Sequence, residues 1–319
     1  MNRERLPADI VLAANRISDH IRETPLDYSP FFSRESGASV YLKLENLQYT
    51  CSFKLRGAFN KLLSLTPDER RAGCVAASSG NHGAAVAYAM KRLGVTGCVF
   101  VPEQTSPTKV EAIRLAGAEV RFFGTDGLDT ETHARDYALD QGMAYLSPYN
   151  DIDVIAGQGS CGVEIARQLA PVDAVFVAVG GGGLISGVGA FLKSVNPRVE
   201  LVGCQPAASA VMTESVKAGK ILDLPSEPTL SDGTAGGIEQ GAITFEICRD
   251  LVDRFVAVSE TQIAAAMCQF IDNQHMLLEG AAGVALAAFL ETAADYRGKN
   301  VVVIICGGNI SRATLRKII

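Results

Sequence analysis

Four times in this chain an apolar, strand-like run stops at a turn of small and polar residues before a helical pattern resumes. The runs lie at 40–44, 74–77, 174–179 and 301–305. Strands that are apolar at consecutive positions need cover on both faces, and parallel βαβ units provide it. The same periodicity predicts further strands at 98–101, 119–123, 144–146, 199–204 and 255–258. Helices are expected near 7–21, 53–65, 83–93, 107–116, 129–141, 184–194, 208–218, 242–250, 261–273 and 279–294. The Pro-, Gly-, Ser- and Thr-rich stretch 221–240 reads as one long loop. The pattern is that of an α/β protein with two doubly wound, open parallel-sheet domains.

Bulk properties narrow the function classes. The 319 residues, 48% hydrophobic and 20% charged, suit a globular chain with well-buried cores. A net charge of −6 without a basic run gives no footprint for nucleic acid. No apolar stretch reaches membrane-spanning length, and Met1-Asn2-Arg3-Glu4-Arg5-Leu6-Pro7 lacks the apolar core of a signal peptide. The eight cysteines include no C-x-x-C pair, so neither a disulfide framework nor a zinc pattern is expected, and a reducing cytoplasm is.

The turns carry the chemistry. In Val179-Gly180-Gly181-Gly182-Gly183-Leu184, four glycines between strand and helix let successive N–H groups converge at a helix start, which is a phosphate site. A dinucleotide fingerprint fails there, because the third glycine of G-x-G-x-x-G is Ile185, and Glu200 opens its strand instead of ending it. Ser78-Ser79-Gly80-Asn81-His82 places two hydroxyls, an amide and an imidazole over helix-start N–H groups, a setting for a small carboxylate, although taken by itself plain capping by Ser79 or Asn81 is the better explanation. His20, His133 and His275 are scattered over helical stretches and read as structural. Lys54, in Ser52-Phe53-Lys54-Leu55-Arg56-Gly57-Ala58, would alone be a solvated lysine. Together with an anion nest and Cys306-Gly307-Gly308-Asn309, all at strand carboxyl ends, it points to one site that holds a phosphorylated aldehyde.

These motifs, with Ala156-Gly157-Gln158-Gly159, span essentially the whole chain, which resembles the pyridoxal-phosphate enzymes of the tryptophan-synthase-β type (fold type II), within the serine/threonine dehydratase and serine racemase group. The resemblance implies a large cofactor-binding domain formed by 1–47 plus 146–319, with a small domain, 48–145, inserted. It implies that Lys54 carries pyridoxal 5'-phosphate as a Schiff base, that Phe53 packs on the ring and that Asn81 bonds the ring hydroxyl. Gly180, Gly181, Gly182, Gly183 and Leu184 would hold the phosphate, and Cys306 would face the pyridine nitrogen. Ser78, Asn81 and His82 would grip the substrate carboxylate, with Ser79 on the ring face opposite Lys54. The freed Lys54 would take the α-proton. A thiol with a pKa of about 8.5 is mostly neutral, so Cys306 would not hold a charged pyridinium as a carboxylate does. That favours elimination of a β-hydroxyl over transamination, giving a 2-oxo acid and ammonia.

The chain also departs from the group's pattern. Gln205 and Val211 stand where cation-binding members carry carboxylates, so no metal is expected. Tyr49-Thr50-Cys51 replaces the common Pro-Thr-Gly before the lysine motif. The glycine-rich stretch 232–241 differs from the usual dehydratase loop and is expected to line the side-chain pocket. The expected activity is therefore a dehydratase for threonine, serine or a specialised relative such as 3-hydroxyaspartate, phenylserine or a hydroxyectoine breakdown intermediate. The alternatives are a serine- or aspartate-type racemase using Lys54 and Ser79, a silent ligand-binding protein and a nicotinamide-dependent oxidoreductase. The resemblance also suggests a homodimer.

Overall fold

The computed structural model describes residues 3–125 and 127–319, so Met1 and Asn2 of the N-terminal stretch lie outside the described residues. Ten strands are present among them: β1 Leu26–Tyr28, β2 Ser39–Leu44, β3 Cys74–Ala77, β4 Gly97–Val101, β5 Glu119–Phe122, β6 Ala144–Tyr145, β7 Ala174–Ala178, β8 Glu200–Pro206, β9 Arg254–Val258 and β10 Asn300–Ile305. Six form one sheet in the order β1-β2-β10-β7-β8-β9, and four form a second in the order β5-β4-β3-β6. Every pairing is parallel except β1 with β2.

The central strand β10 is buried over Val301–Ile305, which is why it reads as an unbroken apolar run. It lies between β2 and β7, so the turns leaving all three strands meet at one edge of the sheet. The lysine loop is tied to that edge. Phe53 N–H donates to the Cys306 carbonyl at 3.0 Å, and Ser52 forms an antiparallel bridge with Gly307.

The helices agree with the periodicity to within a few residues, with three exceptions, the short helix Pro67–Ala72 among them. Strand β1 and the helix Pro30–Ser36 occupy a stretch that the sequence marks only as a break at Pro25. More consequential is the 17-residue helix Ile152–Gln168, N-capped by the Asp151 carboxylate, which accepts from Asp153 and Val154 N–H. Three interior glycines lower its intrinsic propensity and hide its period. Their reason is close approach. A Cβ on Gly157 would lie 2.5 Å from the Arg56 carbonyl, and one on Gly159 would lie 3.0 Å from the Gly187 Cα. The helix Lys54–Ser64 and the helix Gly183–Val195 are thereby pressed against the two sides of this helix, bringing Lys54 and the glycine run into one cleft.

Candidate active site

Lys54 opens its helix at the bottom of the cleft, half-buried. Its Nζ donates to the Pro148 carbonyl at 2.8 Å and lies 5.1 Å from the centroid of the Phe53 ring. Gln158 donates to the same carbonyl at 3.2 Å, holding the acceptor in place. Burial lowers the Lys54 amine to about 8, against the raising influence of Cys306, Glu279 and Glu131. A sizeable neutral fraction at physiological pH is what a nucleophile or base requires.

The glycine run is packed on every side. A Cβ on Gly180 would lie 3.1 Å from the Thr234 Cα, one on Gly182 would lie 2.9 Å from the Cys248 sulfur, and one on Gly183 would lie 2.5 Å from Gln158 Oε1. Gly182 adopts φ 87° and caps the helix Gly183–Val195 with no side chain, so the first-turn N–H groups, Leu184's among them, have no side-chain acceptor. That is a cradle for an anion of phosphate size. A Cβ on Gly181 would lie 2.4 Å from the Tyr149 ring, whose hydroxyl is held by Glu239 N–H. Gly181→Ala is therefore expected to weaken pyridoxal-phosphate binding about ten- to a hundredfold, the range of an overpacked site. Equilibrium dialysis of the cofactor-free protein measures this, and unchanged affinity would place the phosphate elsewhere.

On the opposite wall, Ser78 and Ser79 line the cleft, and Ser78 Oγ accepts from Gly80 N–H at 3.1 Å. No side chain caps the helix Asn81–Leu93, so capping does not explain this polar turn. His82 is buried with Nε2 bonded to the Leu146 carbonyl at 2.8 Å, while Nδ1 has no hydrogen-bond partner. Burial and the Lys54 charge lower it to about 3, so it stays neutral and brings no cation to a carboxylate. Asn81 turns to a residue the sequence does not single out. Its Nδ2 donates to both Glu279 oxygens at 2.8 and 3.0 Å, and its Oδ1 accepts from Asn309 Nδ2 at 2.7 Å.

Glu279 precedes the helix Gly280–Thr292 and is buried beside the turn that leaves β10. Asn309 N–H donates to it at 3.2 Å, and a Cβ on Gly307 would lie 2.5 Å from its oxygen. Nothing in the sequence around Glu279 flags it; only the meeting of β10 with this helix does. Burial holds the neighbouring Cys306 thiol well above its ordinary range, and Glu279 adds to the rise. Glu279 is thus the ionisable acid of this corner. Burial raises its carboxyl from 4.5 to about 7, opposed by the Asn81 and Asn309 hydrogen bonds.

Between those values the folded chain holds a proton that the unfolded chain has lost, so Glu279 makes stability fall as pH rises from 5 toward 7. Its contribution at neutral pH is about 3 kcal/mol. His82, lowered from 6.5, acts in the opposite sense below pH 6.5. The informative quantity is therefore the difference between wild type and Glu279→Gln. In urea denaturation of the cofactor-free proteins, the variant's advantage is expected to grow between pH 5 and 8. A constant difference would contradict a carboxyl titrating there.

Among the described residues no group of three or more His, Cys, Asp or Glu side chains could hold a metal, and Gln205 is spent on the Val179 carbonyl and on Thr213. The arrangement defines an enzyme site in which a desolvated lysine faces an uncapped glycine nest, the two groups that a phosphorylated aldehyde cofactor needs. The residues present fit that group.

Comparison with known proteins gives the family. Residues 17–307 match the family model of the pyridoxal-phosphate dependent enzymes, and the chain belongs to that family. It is 39% identical over 311 residues to the L-threonine ammonia-lyase of Thermotoga maritima, covering 98% of this chain and 77% of that one. The processed threonine deaminase isoform 2 of Solanum lycopersicum superposes with a TM-score of 0.94 at 35% identity, covering 98% of this chain and 91% of that one. Maize serine racemase gives 0.92 at 31% identity, with 97% and 95% covered. The expected fold type II architecture and the pyridoxal-phosphate cofactor both stand.

Proposed function

We propose that the chain is an ammonia-lyase that removes the β-hydroxyl and the amine of a threonine- or serine-like amino acid, giving a 2-oxo acid and ammonia. The observation that carries the reading is the Lys54 amine, brought to about 8 by burial beside the glycine nest. The likeness to the L-threonine ammonia-lyase supports it. When bound, pyridoxal phosphate supplies an electron sink for charge developing at the substrate's α-carbon. Lys54 would hold the cofactor and, once free, would take the α-proton; its Nζ here donates to the Pro148 carbonyl. Gly180 to Leu184 would hold the phosphate, and Phe53 would pack on the ring. Ser78 and the uncapped turn at Asn81 receive the substrate carboxylate; His82, whose Nε2–H is spent on the Leu146 carbonyl, has no proton to donate to it and serves as a neutral wall behind that turn. Cys306, held neutral by burial, adds no charge to its corner.

A second reading, a racemase, is favoured by Ser79, which lines the cleft with Lys54 and would be the second acid/base group. We place the chain in the cytoplasm as a homodimer, divided into a body of 1–47 plus 146–319 and an inserted domain of 48–145. Strands β3 to β6 falling within that insertion support the division. Among the described residues no helix is long and apolar enough to cross a membrane.

The test is to incubate the holoenzyme with a panel of β-hydroxy amino acids and measure 2-oxo acid, ammonia and enantiomeric composition together. Equal release of both products from one substrate is expected. Inversion without ammonia would replace the lyase by the racemase.

A further inference from the structure

Two cationic side chains, Arg135 and Lys109, line the part of the cleft formed by the glycine-rich segment 232–241 and the helices Pro107–Ala116 and Gly127–Asp140. Free, either would attract a second carboxylate on a substrate. Neither is free. Lys109 pairs with Asp232 at 3.5 Å, an exposed contact. Arg135 is held more tightly. Its Nη2 meets Glu131 Oε1 at 2.8 Å and Glu239 Oε2 at 2.5 Å, and its guanidinium lies 4.5 Å from the Tyr145 ring centroid. Two carboxylates on one guanidinium leave the cluster with a net negative charge.

Glu239 cannot readily swing aside. Its N–H donates to Tyr149 Oη at 3.0 Å, and its Oε1 accepts from Asn150 Nδ2. Asn150 Oδ1 in turn accepts from Ile243 N–H at 2.9 Å. The same short segment carries Pro148, whose carbonyl takes Lys54, and Tyr149, whose ring covers Gly181. The acidic cluster is therefore built into the wall that positions the reacting groups, and Glu131 acts electrostatically on Lys54 itself.

From this we infer that Glu239 is a specificity-determining residue: as the second carboxylate on Arg135, beside Glu131, it leaves the cluster net negative and makes the cleft reject a second carboxylate, so the substrate is a hydroxy amino acid with an uncharged side chain. Within the proposed function this selects threonine- and serine-like compounds over 3-hydroxyaspartate. The inference rests on that reading for its choice of substrate, but the binding preference can be measured without turnover.

The experiment is calorimetric titration of the holoenzyme with malonate, a dicarboxylate carrying no amine to react, and with propionate as the single-carboxylate control. Wild type is expected to bind malonate no better than propionate. Glu239→Gln, which keeps a side-chain acceptor for Asn150, should bind malonate about tenfold tighter or more, the scale of one additional charge-assisted hydrogen bond, with propionate little changed. Adding Arg135→Met to that variant should abolish the tighter binding, and Arg135→Met alone, which leaves Glu131 and Glu239 without their cation, should bind malonate no better than wild type. An unchanged malonate affinity in Glu239→Gln overturns the inference. If that variant does not fold, Glu239→Ala is titrated in its place, and an unchanged malonate affinity there overturns the inference equally. In parallel, kcat/KM for 3-hydroxyaspartate relative to threonine should rise in Glu239→Gln. If no hydroxy amino acid releases ammonia, the proposed function fails, while the malonate comparison still decides the role of Glu239.

Discussion

Lys54→Ala is expected to lower turnover by at least about 10⁴-fold, because loss of a positioned base removes about 10²–10⁴ and loss of the cofactor's covalent anchor comes on top of it. The structure explains why no neighbour substitutes. His82 is the nearest histidine by chain position, but it is buried, bonded to the Leu146 carbonyl and lowered to about 3. Cys306 is held as a thiol, and Glu279 is engaged by Asn81 and Asn309. The variant should keep its fold, since Lys54 donates one side-chain hydrogen bond, to Pro148. Visible absorbance after extensive dialysis, together with steady-state ammonia release, tests this. Retained colour and retained turnover would refute the assignment of Lys54.

Two residues further on, Arg56→Met is expected to destabilise the chain by about 3–5 kcal/mol, the usual effect of removing one partner from a buried ion pair. Arg56 is fully buried. It reaches both oxygens of Glu45 at 2.7 Å and both oxygens of Glu164 at 2.6 and 2.8 Å, and adds Ser160 at 3.0 Å. Lys43, also fully buried, completes the set through Glu164 at 2.6 Å, the Thr24 carbonyl and Gln168. Burial alone would raise the Glu164 carboxyl, yet the Arg56 and Lys43 cations outweigh it and hold that group below its ordinary value.

Without Arg56, Glu164 would keep Lys43, but the buried Glu45 carboxylate would keep only the Thr24 hydroxyl. Against a typical total of about 5–15 kcal/mol, that loss is large. The exposed pair of Lys217 with Glu214 sets the contrast, since Lys217→Met should change stability by no more than about 1 kcal/mol. Denaturant titration of both variants separates the cases. An Arg56→Met protein within about 1 kcal/mol of wild type would mean that the network contributes nothing net. Because it clamps the first turn of the Lys54 helix to strand β2 and to the helix Ile152–Gln168, the surviving Arg56→Met protein should also bind cofactor more weakly.

The legible and illegible parts of this chain divide along physical lines. Strands β3, β7 and β10 are legible nearly to the residue, because a strand covered on both faces writes itself as consecutive apolar residues. Lys54 and the glycine run are legible because a strand-to-helix turn is local, and a run of glycines there has few other uses. The helix Ile152–Gln168 is not, since its glycines answer to neighbouring helices and not to its own propensity. Glu279 and Arg135 are invisible as site residues for the same kind of reason: single charged residues, far apart in sequence, with no local pattern to mark them, and Glu239 is marked only through the glycine-rich stretch 232–241 that carries it.

Order and spacing alone suffice for the α/β class and for a lysine and an anion nest at the strand ends; the identity of the cofactor and the roles of the other residues rest on the resemblance. Which polar groups satisfy one another needs the folded chain. Asn81 bonded to Glu279, the neutral buried His82 and the guanidinium of Arg135 caught between two carboxylates all arise from contacts across at least 64 positions of sequence, Glu131 excepted. Backbone pattern is governed by short-range sterics and burial, which each segment carries within itself. The charge of a pocket is a sum over side chains that only the packing of separate elements brings within a few ångströms of one another.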